Sequence, residues 1–145
     1  MWKYNIPNDT WEVMPPLKIA RAQHSCTTIK DPNDESVKIL VAGGTIEGSV
    51  GTKSVEILDM NNQTWNEGPT LPFKTSLSQL IQDGIGGALL VGGRAVIDSQ
   101  AKRLTSILHL SSNLRDWKKL GRDMKIGRAS HVAMLIPEKF INCNT

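Results

Sequence analysis

Cysteine is scarce in this chain: Cys26 and Cys143 are the only two among 145 residues. That is too few for the disulfide framework of a small secreted scaffold. No Cys-x-x-Cys pair and no metal-spaced Cys/His pair occurs, which argues against a zinc module. Tyrosine occurs once and phenylalanine twice, whereas tryptophan occurs four times. No apolar run approaches the roughly 18 residues of a membrane-spanning helix. The opening residues Met1–Asn5 carry no apolar stretch of the kind that marks a signal peptide. An excess of one charge is also missing: 17 basic against 14 acidic residues leave a net +3. The basic residues are scattered, and Lys118-Lys119 beside Trp117 is too small a patch for nucleic acid. No window sustains a helical period. These absences argue against helical, membrane, metal and nucleic-acid classes, and leave a β-rich domain that binds through something other than a charge footprint.

What the chain does have is a repeat. Ile39-Leu40-Val41-Ala42-Gly43-Gly44 returns as Leu89-Leu90-Val91-Gly92-Gly93, and Trp11, Trp65 and Trp117 recur at intervals of 54 and 52 residues. Arg21-Ala22-Gln23-His24 returns as Arg128-Ala129-Ser130-His131. A period near fifty means one supersecondary unit stacked on copies of itself. Each unit offers four short strand-like runs. In the first they are His24–Ile29, Val37–Ala42, Ser54–Asp59 and Thr64–Glu67. In the second they are Leu77–Gln82, Ala88–Val91, Ser106–Leu110 and Asp116–Leu120. Within the second runs Ile39–Ala42 and Ala88–Val91 are continuously apolar, as in strands buried on both faces. Asn5, Asp59 and Ser111, each six residues before a tryptophan, supply turns. The prolines after Trp11 and Trp65 end strands, because proline cannot donate to a sheet ladder. Four strands per unit at this period spell a propeller blade.

These residues resemble the kelch repeat. The matching elements are Arg21 and His24 at the entry, Gly43-Gly44 after an apolar strand, Val55-Glu56-Ile57-Leu58-Asp59, and Trp65 after a polar turn. The second unit matches at Gly92-Gly93, Ile107-Leu108-His109-Leu110 and Trp117. It departs at the entry, where Lys74 and Leu77 stand for Arg and His. The resemblance implies an all-β sector of about three four-stranded antiparallel blades. The units are a half-unit 1–20, repeats 21–73 and 74–125, and a half-unit 126–145. Kelch propellers are similar rings of about six or seven blades. A sector of this size is therefore expected to belong to a larger protein, or to close a six-bladed ring as a homodimer. In the last half-unit Ser130–Ile136 is expected to be a first strand, Pro137-Glu138 a turn, and Phe140–Cys143 a shortened second strand.

The recurring residues are expected to be structural. A glycine pair at a strand end permits close backbone approach or positive φ. Each tryptophan can pack between sheets and donate its indole N–H to a turn carbonyl. Arg21 and Arg128 can bond loop carbonyls or present charge at a surface. His24 and His131 repeat at one position, which suits a hydrogen bond to a turn better than a ligand role. Cys26 is expected to be a small buried residue, and two unpaired thiols suit a reducing, cytoplasmic setting. Asn8-Asp9-Thr10 and Asn62-Gln63-Thr64 match a glycosylation sequon, but turn chemistry explains them equally. No catalytic Ser/His/Asp arrangement is present. The copper oxidases built on similar propellers need two tyrosines, whereas this chain has Tyr4 alone. No enzyme activity, cofactor or metal is expected.

Binding in such a scaffold belongs to its loops. Antiparallel order puts the loops after Gly-Gly (45–53 and 94–103) on the same face as the loops into each first strand. The resemblance implies that this face grips a partner protein or peptide. Its site positions fall on Thr45, Glu47 and Arg94 after the glycine pairs, and on Gln23, Ser76 and Ser130 after the entries. Arg94 is the leading candidate, since a guanidinium clamps a carboxylate through two hydrogen bonds. The family's commonest setting implies substrate recognition for a cullin-type ubiquitin ligase; the alternatives are an actin-linking scaffold, or part of a galactose-oxidase-like or extracellular kelch protein.

Overall fold

The computed structural model describes residues 1–49 and 51–136, and every regular element among them is a β-strand. β1 (Trp2–Asn5) and β2 (Thr10–Val13) form a hairpin. β3 (Ser25–Lys30), β4 (Val37–Ala42), β5 (Val55–Asp59) and β6 (Thr64–Glu67) form the first four-stranded antiparallel blade in sequence order. β7 (Gln79–Gln82) and β8 (Ala88–Val91) begin the second blade. The chain then makes an extra hairpin, β9 (Arg94–Ile97) and β10 (Gln100–Arg103). It returns to finish the second blade with β11 (Ile107–Leu110) and β12 (Trp117–Lys119).

The apolar second strands are buried for the reason their sequence implies. On β4, Leu40 and Ala42 join the cluster between the two blades, while Val41 points the other way, into a second cluster with Met14, Leu58 and Trp65. Successive side chains on a strand alternate faces, so a strand with a blade on one side and a cluster on the other must be apolar throughout. Trp65 and Trp117 are 4% and 8% exposed, and their indole N–H groups donate to Pro15 O at 3.0 Å and Pro69 O at 2.9 Å. Each tryptophan thus packs on its own blade and is tied to the linker that leads into it. Trp11 holds the same repeat position but is 66% exposed and stacks only against Tyr4, with ring centroids 4.9 Å apart. Ahead of Trp65 the turn is held by short side chains. Asp59 Oδ1 accepts from Asn61 N at 2.8 Å, and Asn62 Oδ1 accepts from Thr64 N at 3.1 Å.

The glycine pairs join one blade to the next. Gly44 N donates to Thr75 O at 2.9 Å, and Gly93 N donates to Arg128 O at 2.8 Å. Both second glycines have positive φ, +97° and +112°. A Cβ on Gly44 would sit 2.6 Å from Ala22 O. These bonds also correct the register of the second entry. Gln23, Leu77 and Ser130 all have φ near +55° and are chained, Leu77 N to Gln23 O at 2.9 Å and Ser130 N to Leu77 O at 3.0 Å. The counterparts of Arg21 and His24 in the second blade are therefore Thr75 and Ser78, one residue beyond Lys74 and Leu77. With neither Arg nor His at the entry, the sequence alone had no anchor for the one-residue shift.

Arg21 bonds carbonyls and does not present charge. Its side chain is 0% exposed and donates to Gly43 O at 3.0 Å, Ser54 O at 2.9 Å, Ser54 Oγ at 2.8 Å and Glu56 Oε1 at 2.6 Å. The 1% exposed Glu56 carboxylate also accepts from Lys18 N at 2.8 Å and Ile19 N at 3.3 Å. One buried ion pair therefore ties the linker, the glycine corner and β5 together. The second blade replaces every member at once. Pro72 stands for Lys18 and has no N–H to satisfy, Thr75 stands for Arg21, and Leu108 stands for Glu56. Thr75 Oγ1 instead meets Ser78 Oγ at 3.0 Å and Arg94 O at 3.3 Å.

Three further expectations change. Cys26 is exposed, not buried. It pairs with Val41 and so lies on the side of β3 opposite Ile29, which packs into the cluster between the blades. Residues 131–136 form no strand. The expected turn and strand at 137–143, Cys143 among them, lie outside the described residues. The run 94–103 is a hairpin, not a loop; Asp98 and Ser99 make its turn with φ of +52° and +61°. Two residues with positive φ match the right-handed twist of a two-residue hairpin, but Asp-Ser lacks the glycine that usually announces one.

Candidate functional site

Two bridges build the corner of each blade on the expected face. Ala22 pairs with Thr45, and Ser76 pairs with Arg94. The loop after each glycine pair is thereby fastened to the entry of a first strand. Both loop sets share one side of the molecule, and the chain Gln23–Leu77–Ser130 runs from entry to entry.

The predicted residues divide. Arg94 and Ser130 come together: both are exposed and both line a cleft of about 830 Å³ between the second corner and the chain after residue 126. Leu77, Lys102 and Arg103 complete its functional wall. Thr45 and Gln23 sit at the first corner, where Thr45 Oγ1 donates to Ala22 O at 3.3 Å and Gln23 is exposed beside it. Glu47 is exposed at the tip of the loop after Gly44. Ser76 is 2% exposed, the counterpart of Ala22 and Ala129 and not of Gln23. It is out of reach of a partner on this face, and the solvent-facing position there is Leu77's. Gly43, Gly44, Gly92 and Gly93 are buried under the corners.

Lys102 and Arg103 emerge with the β9–β10 hairpin. Their positions beside Arg94 follow from pairing across that hairpin: Arg94 with Arg103, and Ala95 with Lys102. The available signal was the length of the run between Gly93 and β11, long enough to turn back on itself. A second cleft, of about 560 Å³, lies on the other side of the hairpin and is lined by Phe73, Lys74, Ala95, Ile97 and Leu104 among others. The hairpin is thus a wall between a basic cleft and a more apolar one.

His24 and His131 lie at blade entries, and His109 lies on β11. Burial lowers the pKa of His24, and the neighbouring Arg21 charge lowers it further, against a hydrogen bond with the Arg21 backbone. Burial lowers that of His131 too, with Arg128 beside it, and both ring nitrogens of His131 are buried without a partner among the described residues. His109 is bonded through Nε2 to Asp83 Oδ2 at 2.8 Å. Burial would raise the Asp83 pKa, but the bonds from His109, Ile85 N and Gly87 N outweigh it and hold the carboxyl below its usual value. Among the described residues no group of His, Cys, Asp and Glu could hold a metal ion, and no helix is long and apolar enough to cross a membrane.

Residues 38–72, from β4 through β6 to the linker beyond, match the family described as Kelch motif. No curated protein matches the chain.

Proposed function

We propose that this kelch-repeat chain is a non-enzymatic protein-interaction module that holds a peptide or loop of a partner against the face carrying Arg94. Kelch repeats in general serve protein binding. The observation that carries the reading here is the 830 Å³ cleft where a post-glycine segment and a blade entry meet, lined by exposed Arg94 and Ser130. A cleft of that size falls within the range of roughly 300–1,000 Å³ used for ligands. Its walls come from the second blade and from the chain after residue 126, so the scaffold positions the contacts while the contacts stay free to vary. Thr45, Glu47 and Gln23 extend the same face across the first corner.

The test is selection from a displayed peptide library against the immobilised 145-residue chain. Selected peptides should bind in solution and lose affinity on Arg94→Ala, while Lys3→Ala on the β1–β2 hairpin changes nothing. Selected peptides that ignore Arg94 and Ser130 overturn the assignment of the face.

Within this class we propose substrate recognition for a cullin-type ubiquitin ligase as the setting, with a cytoskeletal scaffold as the alternative. Co-purification with a cullin supports the first, and co-sedimentation with actin filaments the second. We also propose that two copies associate through their end faces. Trp2, Tyr4, Trp11 and Val13 share one exposed face of the β1–β2 hairpin, and Val132 and Met134 are exposed at the other end. Light scattering at the mass of one chain refutes the pairing.

A further inference from the structure

The β9–β10 hairpin places two positive charges where a strand pair least tolerates them. Its register sets Arg94 directly opposite Arg103, on one face of the hairpin with Ala101. Side chains directly opposite on neighbouring strands lie about 5 Å apart at Cβ, and like charges there are destabilising. Nothing among the described residues offsets them. Neither guanidinium takes part in an ion pair or a side-chain hydrogen bond. The cleft in front of them gains a third cation from Lys102, and among the described residues no carboxylate lines it. The hairpin's own acid, Asp98, lies at the turn, 3.8 Å from Lys102 Nζ, and is 87% exposed. The blade itself does not need the hairpin, since β8 passes to β11 in the sheet without it. An anion seated between the two arginines would offset the repulsion that this inserted element builds on the exposed face.

We propose that this cleft binds an acidic, glutamate- or aspartate-rich segment of a partner protein, with a carboxylate held between Arg94 and Arg103. The proposal rests on the interaction reading above and adds the chemistry of the partner. Arginine suits the task because its planar fork meets both oxygens of a carboxylate and is always charged. Lys102 supplies a further positive charge, and the Ser130 hydroxyl supplies a neutral donor on the opposite wall.

The experiment measures fluorescence anisotropy of a short labelled glutamate-rich peptide with the full 145-residue chain, beside its glutamine counterpart. The acidic peptide should bind, weaken as salt rises, and outcompete the glutamine peptide. Arg94→Ala and Arg103→Ala should each weaken it about tenfold, the change expected for one charge-assisted contact. Arg103→Glu is the decisive variant. It puts a carboxylate opposite Arg94 and should abolish binding while raising the melting temperature, because a repulsive pair becomes an attractive one. A merely structural arginine would lower the melting temperature instead. Equal binding of the two peptides, or Arg103→Glu that binds the acidic peptide as before, overturns the proposal. Library-selected peptides that need this face but carry no acidic residue and ignore Arg103→Glu overturn the acidic chemistry alone. If no peptide needs the face, the interaction reading fails as well.

Discussion

Glu56→Leu should be among the most damaging single changes in this protein. The Arg21 guanidinium is 0% exposed and Glu56 is its countercharge at 2.6 Å. Removing the carboxylate leaves a buried cation without an ion partner and takes the acceptor from Lys18 N and Ile19 N. Breaking one side of a buried pair costs about 3–5 kcal/mol. For a chain of this length the unfolding entropy is roughly 0.3 kcal/mol per degree, so the melting temperature should fall by about 10–15 °C. The second blade holds a different solution at the same positions, namely Pro72, Thr75 and Leu108. Lys18→Pro with Arg21→Thr and Glu56→Leu imports it: proline removes one orphaned N–H, threonine removes the charge, and leucine fills the space. Gly43 O, Ser54 Oγ and both backbone groups of Ile19 lose the partners that Arg21 and Glu56 supplied, while Ser54 O keeps Gly43 N. The triple variant should therefore recover at least half of the loss, about 2 kcal/mol, because replacing a whole buried pair is far cheaper than breaking it. Urea denaturation followed by the fluorescence of buried Trp65 and Trp117 measures both. A single change costing under about 1 kcal/mol, or a triple variant no better than the single, would refute the reasoning.

Other outcomes follow from the same geometry. Gly44→Ala should cost about 2 kcal/mol or more, since φ is +97° and the new Cβ meets Ala22 O; Gly121→Ala, where a Cβ meets nothing within 4 Å, should be near neutral by the same thermal melt. Trp117→Phe should lose about 1–2 kcal/mol with the bond to Pro69 O, whereas Trp11→Phe at the exposed equivalent position should leave the melting temperature unchanged. His24 and His131 have folded pKa values below the 6.5 of an unfolded histidine, so the unfolded chain binds more protons in that window. Stability should be fully present above pH 6.5 and fall as pH drops through the folded values. Melting curves across that range should flatten in His131→Gln, and an unchanged slope would show that His131 does not carry it.

Much of the scaffold was legible because it is written in local chemistry. β4, β6 and β8 lie where the apolar runs and turn residues put them, and the glycine pairs take positive φ as their position requires. Trp65 and Trp117 donate to proline carbonyls because a large ring with one N–H, buried in a blade, needs one acceptor. The second entry was legible only to within a residue. Its register is set by Gly44 N reaching Thr75 O, a contact between blades, and not by any residue type within the entry. Ser76 consequently lies under the surface and Leu77 on it. Cys26 went from expected core to solvent because it lies on the side of β3 opposite the packed Ile29, and strand sequence does not record which side the core takes.

The sequence by itself determined the repeat, the four-stranded unit, its antiparallel order and the face on which the variable segments gather. All of these follow from periodicity and backbone hydrogen bonding along one stretch of chain. Only the tertiary structure decided that Arg21 is the buried partner of Glu56, and that Arg94 confronts Arg103 across a hairpin. A charge becomes structural or available according to what packs around it. That depends on residues tens of positions apart in one case, and in the other on a two-residue turn that no glycine marks.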